Sequence, residues 1–417
     1  MFKKGLVLIL VFLGILSQLN AQENEVILFK NDNTNKKIQQ LAEDKIFAHK
    51  TAGMVVVVVK DGVTQYLNAF GYSDLKDKGK NIRNPKSMKT DAIFDLASLT
   101  KVLATTQAVM MLINENKLQL NDKASTYLTE FQTPDKEEIT IYDLLTHSSG
   151  LAPWRPTYMY AKNKQEVLAY IGKLPLAYKP RTNQIYSDLG FISLGAVVEK
   201  ITNESLDTYI SNNLYQKLGM IDTGYNISKE KKIRAVSTSW NNLFEQNMIK
   251  EGKYGNKGNP KDFKGWRNYT LKGEVDDGNA YYAMAGVSGH AGLFASASDI
   301  AKIMQLMLNG GTYNGVSFYS QEIMDNFSQL QTGQGMKGRA IGFDYSRDYM
   351  GKKRPQGTFG HIGFTGNCLA INKEKNIGIA ILTNRENVGF NSNGGYTGYN
   401  DMCTEIMDSI YSNYSIN

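Results

Sequence analysis

Met54 to Val59 is an unbroken apolar run dominated by valine, and the polar pair Asp61-Gly62 separates it from a second stretch, Val63 to Tyr72. A two-residue turn of this kind between strand-forming runs predicts a β-hairpin. A hairpin this apolar is expected to have helices over one face. Residues 35–49 precede it with Ile38, Leu41 and Ile46 near helical spacing. Lys101 to Ile113 contains neither Gly nor Pro and aligns Val102, Thr105, Val109 and Leu112, which predicts a helix. Further helices are predicted over Tyr142–Leu145, Lys164–Ile171, Leu189–Ile201 and Ser205–Leu214. Another spans 298–309, with Ser298-Asp299 as its cap. Residues 241–279 are polar and rich in Gly, Asn and Lys, and carry Trp266 and Tyr269. They predict a long ordered excursion, a lid or a wall of a cleft. Strand signals return at Asn367–Asn372 and Ile377–Thr383, around the turn Lys373-Glu374-Lys375-Asn376, and a last helix covers Asn400–Tyr411. Strands at both chain ends with helices between them predict an α/β lobe of residues 30–95 and 330–417, interrupted by a mainly helical lobe of residues 96–310.

The N-terminus changes the picture of where this fold works. Met1-Phe2-Lys3-Lys4 is a short basic start, Gly5 to Leu16 is apolar, and Asn20-Ala21-Gln22 offers a small-residue cleavage site. The pattern is that of a secretory signal peptide cut after Ala21. The apolar run falls short of the roughly 20 residues that span a bilayer, so no membrane anchor is expected after cleavage. Residues 22–417 then form the mature chain, expected in the periplasm or outside the cell. Losing Lys3 and Lys4 lowers the net charge from +7 to +5. That mild excess, with its densest cluster at Lys229–Lys232 and no stacking aromatics there, argues against a nucleic-acid partner. Cys368 and Cys403 are the two cysteines. Two buried thiols is the simpler reading, and one disulfide is open in an oxidising compartment. His49, His147, His290 and His361 show no metal-ligand spacing, so no metal is expected.

Three short motifs carry candidate chemistry. In Asp95-Leu96-Ala97-Ser98-Leu99-Thr100-Lys101, a helix opening at Ser98 would place Lys101 on the same face, near free backbone N–H groups. A desolvated amine can take the serine proton and make it a nucleophile. In Tyr186-Ser187-Asp188, a phenol beside a lysine can relay that proton. In Gly360-His361-Ile362-Gly363-Phe364-Thr365-Gly366, glycines before a strand let a substrate backbone approach an edge. Each alone has an ordinary structural explanation: an N-cap serine, a packed tyrosine, a glycine-rich turn.

In this order and spacing the three together resemble the class C β-lactamase and penicillin-binding-protein-like serine hydrolases, over roughly residues 30–410. Leu144-Leu145-Thr146-His147-Ser148-Ser149-Gly150-Leu151 and Gly286-Val287-Ser288-Gly289-His290-Ala291-Gly292-Leu293-Phe294 are similar to loops of that family. The resemblance implies an antiparallel sheet flanked by helices and an acyl-enzyme on Ser98, with no cofactor. Lys101 and Tyr186 would share the role of base, Tyr186 would return the proton, and the N–H groups of Ser98 and Phe364 would bind the oxyanion. His147 and His290 would stitch loops. Two departures bear on substrate. His361-Ile362-Gly363 stands where β-lactamases carry Lys-Thr-Gly, which demotes efficient β-lactam hydrolysis. Asp188 stands where asparagine is commonest. A carboxylate there can hold Lys101 or a substrate amine, and pairing with Lys101 would raise the lysine's pKa and shift the base role to Tyr186. The implied reaction is cleavage of an amide or ester, first of all in a D-amino-acid peptide of the cell wall. An esterase comes next, then a β-lactamase or a penicillin-binding sensor that does not turn over.

Overall fold

The structure, a computed structural model, describes residues 25–333 and 335–415. The expected signal peptide, residues 1–21, lies outside them. Helix α1 (Asp32–Phe47) is capped by Asn31, whose side chain accepts from the N–H groups of Asn33 and Thr34. Strands β1 (Gly53–Lys60), β2 (Val63–Asp77) and β3 (Lys80–Ser87) follow, then the short β4 (Ile93–Asp95). A π-helical stretch, Lys101–Thr105, runs into α2 (Thr106–Asn114). The helical region includes α3 (Asp188–Thr202), strand β5 (Gly224–Tyr225) and α4 (Leu243–Glu251). Strand β6 (Leu293–Ser296) leads into α5 (Ala297–Leu308), and β7 (Asp344–Tyr345), β8 (Phe359–Ile362), β9 (Cys368–Asn372), β10 (Ile377–Thr383) and α6 (Asn400–Asn413) complete the chain.

Seven antiparallel strands form the main sheet in the order β7-β8-β9-β10-β1-β2-β3. Both chain ends therefore build it, as the strand pattern predicts. β1 is central, with Val57 opposite Ala380 on one side and Leu67 on the other. Its run Met54–Val59 is wholly buried, because both faces are covered rather than one. Val55, Val57 and Val59 pack with Ile300, Ile303 and Met304 of α5. Met54, Val56 and Val58 pack with Ile38 and Leu41 of α1 and Met402, Ile406 and Ile410 of α6. Burial of each valine is worth about 1.5 to 3 kcal/mol at most. The first of these cores continues without a break into the helical region through Leu144, Leu189 and Phe191.

Three expectations are corrected. The two cysteines are a disulfide: Cys368 of β9 and Cys403 of α6 have Cα atoms 6.5 Å apart where helix and sheet pack. The cap of α5 is Ser296, whose hydroxyl accepts from Asp299 N, because the helix already starts at Ala297, one residue before the expected cap. The segment 241–279 carries a helix, α4, despite its polar composition.

Candidate active site

The chain leaves β4 through a tight turn in which Ala97 adopts φ 45°, the left-handed region that residues with a Cβ seldom occupy. Its N–H is held by Asp95 Oδ1 at 2.9 Å. The following N–H groups are spent within the turn, Leu99 on Leu96 O, Thr100 on Ala97 O and Lys101 on Ser98 O. Ser98 stands directly before the helical run, which begins at Leu99 as the motif suggests, but the turn leaves no row of free donors beside it. Among the described residues its own N–H donates to no protein group.

The π-helical turn carries Lys101 inward, fully buried. Its Nζ donates to Ser98 Oγ at 3.0 Å and His290 O at 2.9 Å, and it forms an ion pair with Asp188 Oδ1 at 2.7 Å. Tyr186 OH donates to Ser98 Oγ at 2.7 Å. The anticipated Lys101–Asp188 pair thus exists. Burial nevertheless outweighs the carboxylate and holds Lys101 below the ordinary lysine value. Burial, with Asp188 adding to it, pushes the Tyr186 phenol well above its usual range. The environment thus favours the protonated phenol and makes the lysine's proton easier to lose than in water, opposite to the shift of weight that the pair alone would bring.

Ser187 caps α3 and places Asp188 and Tyr186 on either side of that cap: its hydroxyl accepts from Gly190 N and donates to Ala152 O. Ser187 N donates to His147 Nδ1 at 3.0 Å, so the His147 proton is on Nε2, and burial keeps this ring neutral. His290 bridges Ser288 Oγ and Asp277 Oδ1 at 2.7 and 3.0 Å. Both histidines brace loops around the lysine.

The end of β8 supplies the opposite edge. Gly363 is required by close approach, since a Cβ there would lie 2.5 Å from Leu96 O. Phe364 N–H, like that of Ser98, donates to no protein group among the described residues, while Phe364 O accepts from Arg385 Nη2. His361 Nδ1 lies 2.8 Å from Ile362 O, which leaves Nε2 buried and unpartnered in the cleft. Burial first, then the charges of Arg339 and Lys101, lowers its pKa to about 4 against the opposing pull of Asp344, so the ring is neutral at pH 7.

The cation of this end is one that no motif marks. Arg339 comes from a glycine-rich stretch, is only 8% exposed and pairs with Asp344 at 2.5 Å. Its Nε and Nη2 groups have no partner, and its Cζ lies 5.9 Å from the centre of the Tyr186 ring. Arg339, Asp344 and the sequence-marked Ser98, Tyr186, Asp188, His361 and Phe364 line one cleft of about 530 Å³. Asn242, Phe244, Glu245 and Met248, in and just before α4, form a wall of it. Trp266 lies behind that wall, packed on Tyr158, Phe263 and Tyr282. Among the described residues no group of His, Cys, Asp and Glu is placed to hold a metal.

The sequence model of the Beta-lactamase family matches residues 35–396. The chain belongs to the Beta-lactamase family. Within it, an N-acetylmuramyl-L-alanine amidase of Bacillus subtilis (strain 168) is 35% identical over 372 residues, covering 84% of this chain and 81% of the relative. A putative D-alanyl-D-alanine carboxypeptidase of Escherichia coli (strain K12) is 33% identical over 349 residues, 79% of this chain and 77% of the relative. Among solved structures, a family VIII carboxylesterase superposes with a TM-score of 0.68 at 16% identity, covering 93% of this chain and 99% of the other. An octameric penicillin-binding protein homologue from Pyrococcus abyssi gives 0.66 at 20% identity, over 92% and 78%. These two share the fold. Membership and relatives together make the chain a serine hydrolase of the Beta-lactamase family.

Proposed function

We propose that the protein is an exported acyl-enzyme hydrolase that removes a carboxylate-bearing residue from a cell-wall peptide, as a D,D-carboxypeptidase does. Arg339 carries this reading. Two of its N–H groups are buried in the cleft without a partner, and an unpaired buried donor of this kind calls for an anion. Because Tyr186 hands its proton to the leaving group, a cation beside the Tyr186 ring is on the side where a leaving group's carboxylate would lie.

Ser98 Oγ attacks the carbonyl and its proton passes to the neutral amine of Lys101. On deprotonation the amine keeps a hydrogen bond to His290 O and stays beside Asp188, and its lone pair takes the place of the N–H that points to Ser98. Tyr186 protonates the departing nitrogen and is reprotonated from Lys101. The N–H groups of Ser98 and Phe364 bind the oxyanion, a contribution of a few kcal/mol. Water then releases the acyl group by the same steps reversed. Export is supported by the N-terminal pattern and by the disulfide, which needs an oxidising compartment. Peptidoglycan is then the polymer at hand.

The B. subtilis relative favours a second reading, cleavage between muramic acid and L-alanine. One incubation with a disaccharide-pentapeptide, read by mass spectrometry, separates the readings. Loss of the terminal D-alanine is expected, reduced about 10⁴-fold or more in Ser98→Ala. Release of free peptide from the disaccharide would establish the amidase. An intact pentapeptide with rapid p-nitrophenyl ester turnover would make it an esterase, and a penicillin adduct that never clears would make it a sensor.

A further inference from the structure

The two proposed oxyanion donors come from opposite parts of the chain. Ser98 follows β4, which belongs to a three-stranded sheet with β5 and β6, whereas Phe364 follows β8 of the main sheet. No strand ladder among the described residues joins the two sheets, yet an oxyanion needs both N–H groups within about 3 Å.

A single carbonyl bridges the gap. Asp95 O, three residues before the serine, accepts from Thr365 Oγ1 at 2.8 Å and from Asn367 Nδ2 at 2.9 Å, and the latter is 272 residues away. The two side chains also meet each other at 3.0 Å. Asn367 is anchored in turn, since its Oδ1 accepts from Thr383 N of β10 at 2.8 Å and its carbonyl from Gly363 N at 2.7 Å. At the other end, the Asp95 carboxyl accepts from Ala97 N and Asp276 N. Thr365 and Asn367 are 1% and 0% exposed, so neither reaches a substrate. Only two residues separate Phe364 from Asn367, and two separate Asp95 from Ser98, which leaves little freedom once these bonds are made.

We propose that Thr365 and Asn367 are positioning residues that hold the Phe364 N–H at its working distance from the Ser98 N–H. They act on the tetrahedral state rather than on substrate binding. The inference rests on the oxyanion reading given above.

Thr365→Val keeps the shape and removes the donor, and Thr365→Ser keeps the donor. The probe is an arylboronic acid, whose tetrahedral serine adduct places an oxygen between the two N–H groups. In Thr365→Val, kcat on a p-nitrophenyl ester and boronate affinity should fall together, by roughly tenfold or more. Binding of an uncleaved D-Ala-terminated peptide, measured in a Ser98→Ala background, should change less than about twofold, and Thr365→Ser should restore kcat. Unchanged boronate affinity in a folded Thr365→Val overturns the positioning role alone. Boronate binding that does not depend on Ser98 overturns the oxyanion reading and this inference with it. Should the valine variant not fold, Thr365→Ala is measured in its place. Loss of folded protein in both would show a purely structural pair and equally overturn the proposal.

Discussion

Lys101 is held by two opposed effects of similar kind, burial that expels its charge and Asp188 that retains it. If the working base is the neutral amine, kcat/KM rises with pH as Lys101 loses its proton. Asp188→Asn removes the carboxylate that favours the ammonium, so the lysine pKa falls further and the acid limb of the kcat/KM profile moves to lower pH. A pH–rate profile on a p-nitrophenyl ester checks this, and a limb that stays or moves upward would make the pair structural. At this scale the sequence marks the residues but not their state. Ser98, Lys101, Tyr186 and His361 lie in short motifs that family resemblance makes legible. Whether burial or Asp188 prevails at Lys101 depends on packing from several distant segments. Arg339 is silent for a different reason: it belongs to no motif, and only folding brings its loop beside Tyr186. The neutral state of His361 likewise follows from burial near two cations.

Helix α4 forms its part of the cleft wall because one acid hangs it on the body of the protein. Glu245 accepts from Tyr158 OH and Gly278 N, both at 2.6 Å. Burial, with Asp277 adding to it, raises its pKa to about 8, so the carboxyl is largely protonated at pH 7. A neutral isostere should therefore serve: Glu245→Gln is expected to keep the wild-type KM and stability at pH 7. Glu245→Ala leaves both partners unsatisfied, costs about 2 to 4 kcal/mol and raises KM by loosening the wall. The folded-state pKa lies above the unfolded value, so the native state binds more protons, and the wild type loses stability relative to Glu245→Gln as pH rises from about 4.5 to 8. Thermal melts of the three proteins at pH 5, 7 and 9 test each statement, and equal melts throughout would remove Glu245 from this role. Composition hides α4, because its polar residues carry no clear apolar period and its support is a single buried acid with an aromatic cluster behind it. The long helices and the valine hairpin were legible because their own side chains pay for their burial. The π-turn at Lys101, the Ser296 cap and the Cys368–Cys403 bond depend on neighbours that sequence spacing does not show.

The main sheet closes only when the last fifty residues return to the first sixty. β10 is the partner of β1 on one side, and α6 covers Met54, Val56 and Val58. A chain ending at Asn372 keeps Ser98, Lys101, Tyr186, His361, Phe364 and Asn367 but lacks β10, α6 and Cys403. It exposes a valine-rich strand along one edge and one face, at roughly 1.5 to 3 kcal/mol per uncovered side chain and with an open edge that invites aggregation. It also frees Asn367 from Thr383, so the turn that carries Phe364 loses its tie to the main sheet. The truncated chain is expected to show no cooperative melt and no labelling of Ser98 by a fluorophosphonate in the soluble fraction. Adding residues 373–417 as a separate peptide during refolding should restore part of the labelling, because the missing contacts are pairing and packing rather than chain connection. Labelling of the truncated chain at the wild-type rate would show that the helical region and β1–β3 assemble the nucleophile unaided, and that closure of the sheet is not what holds the active site together.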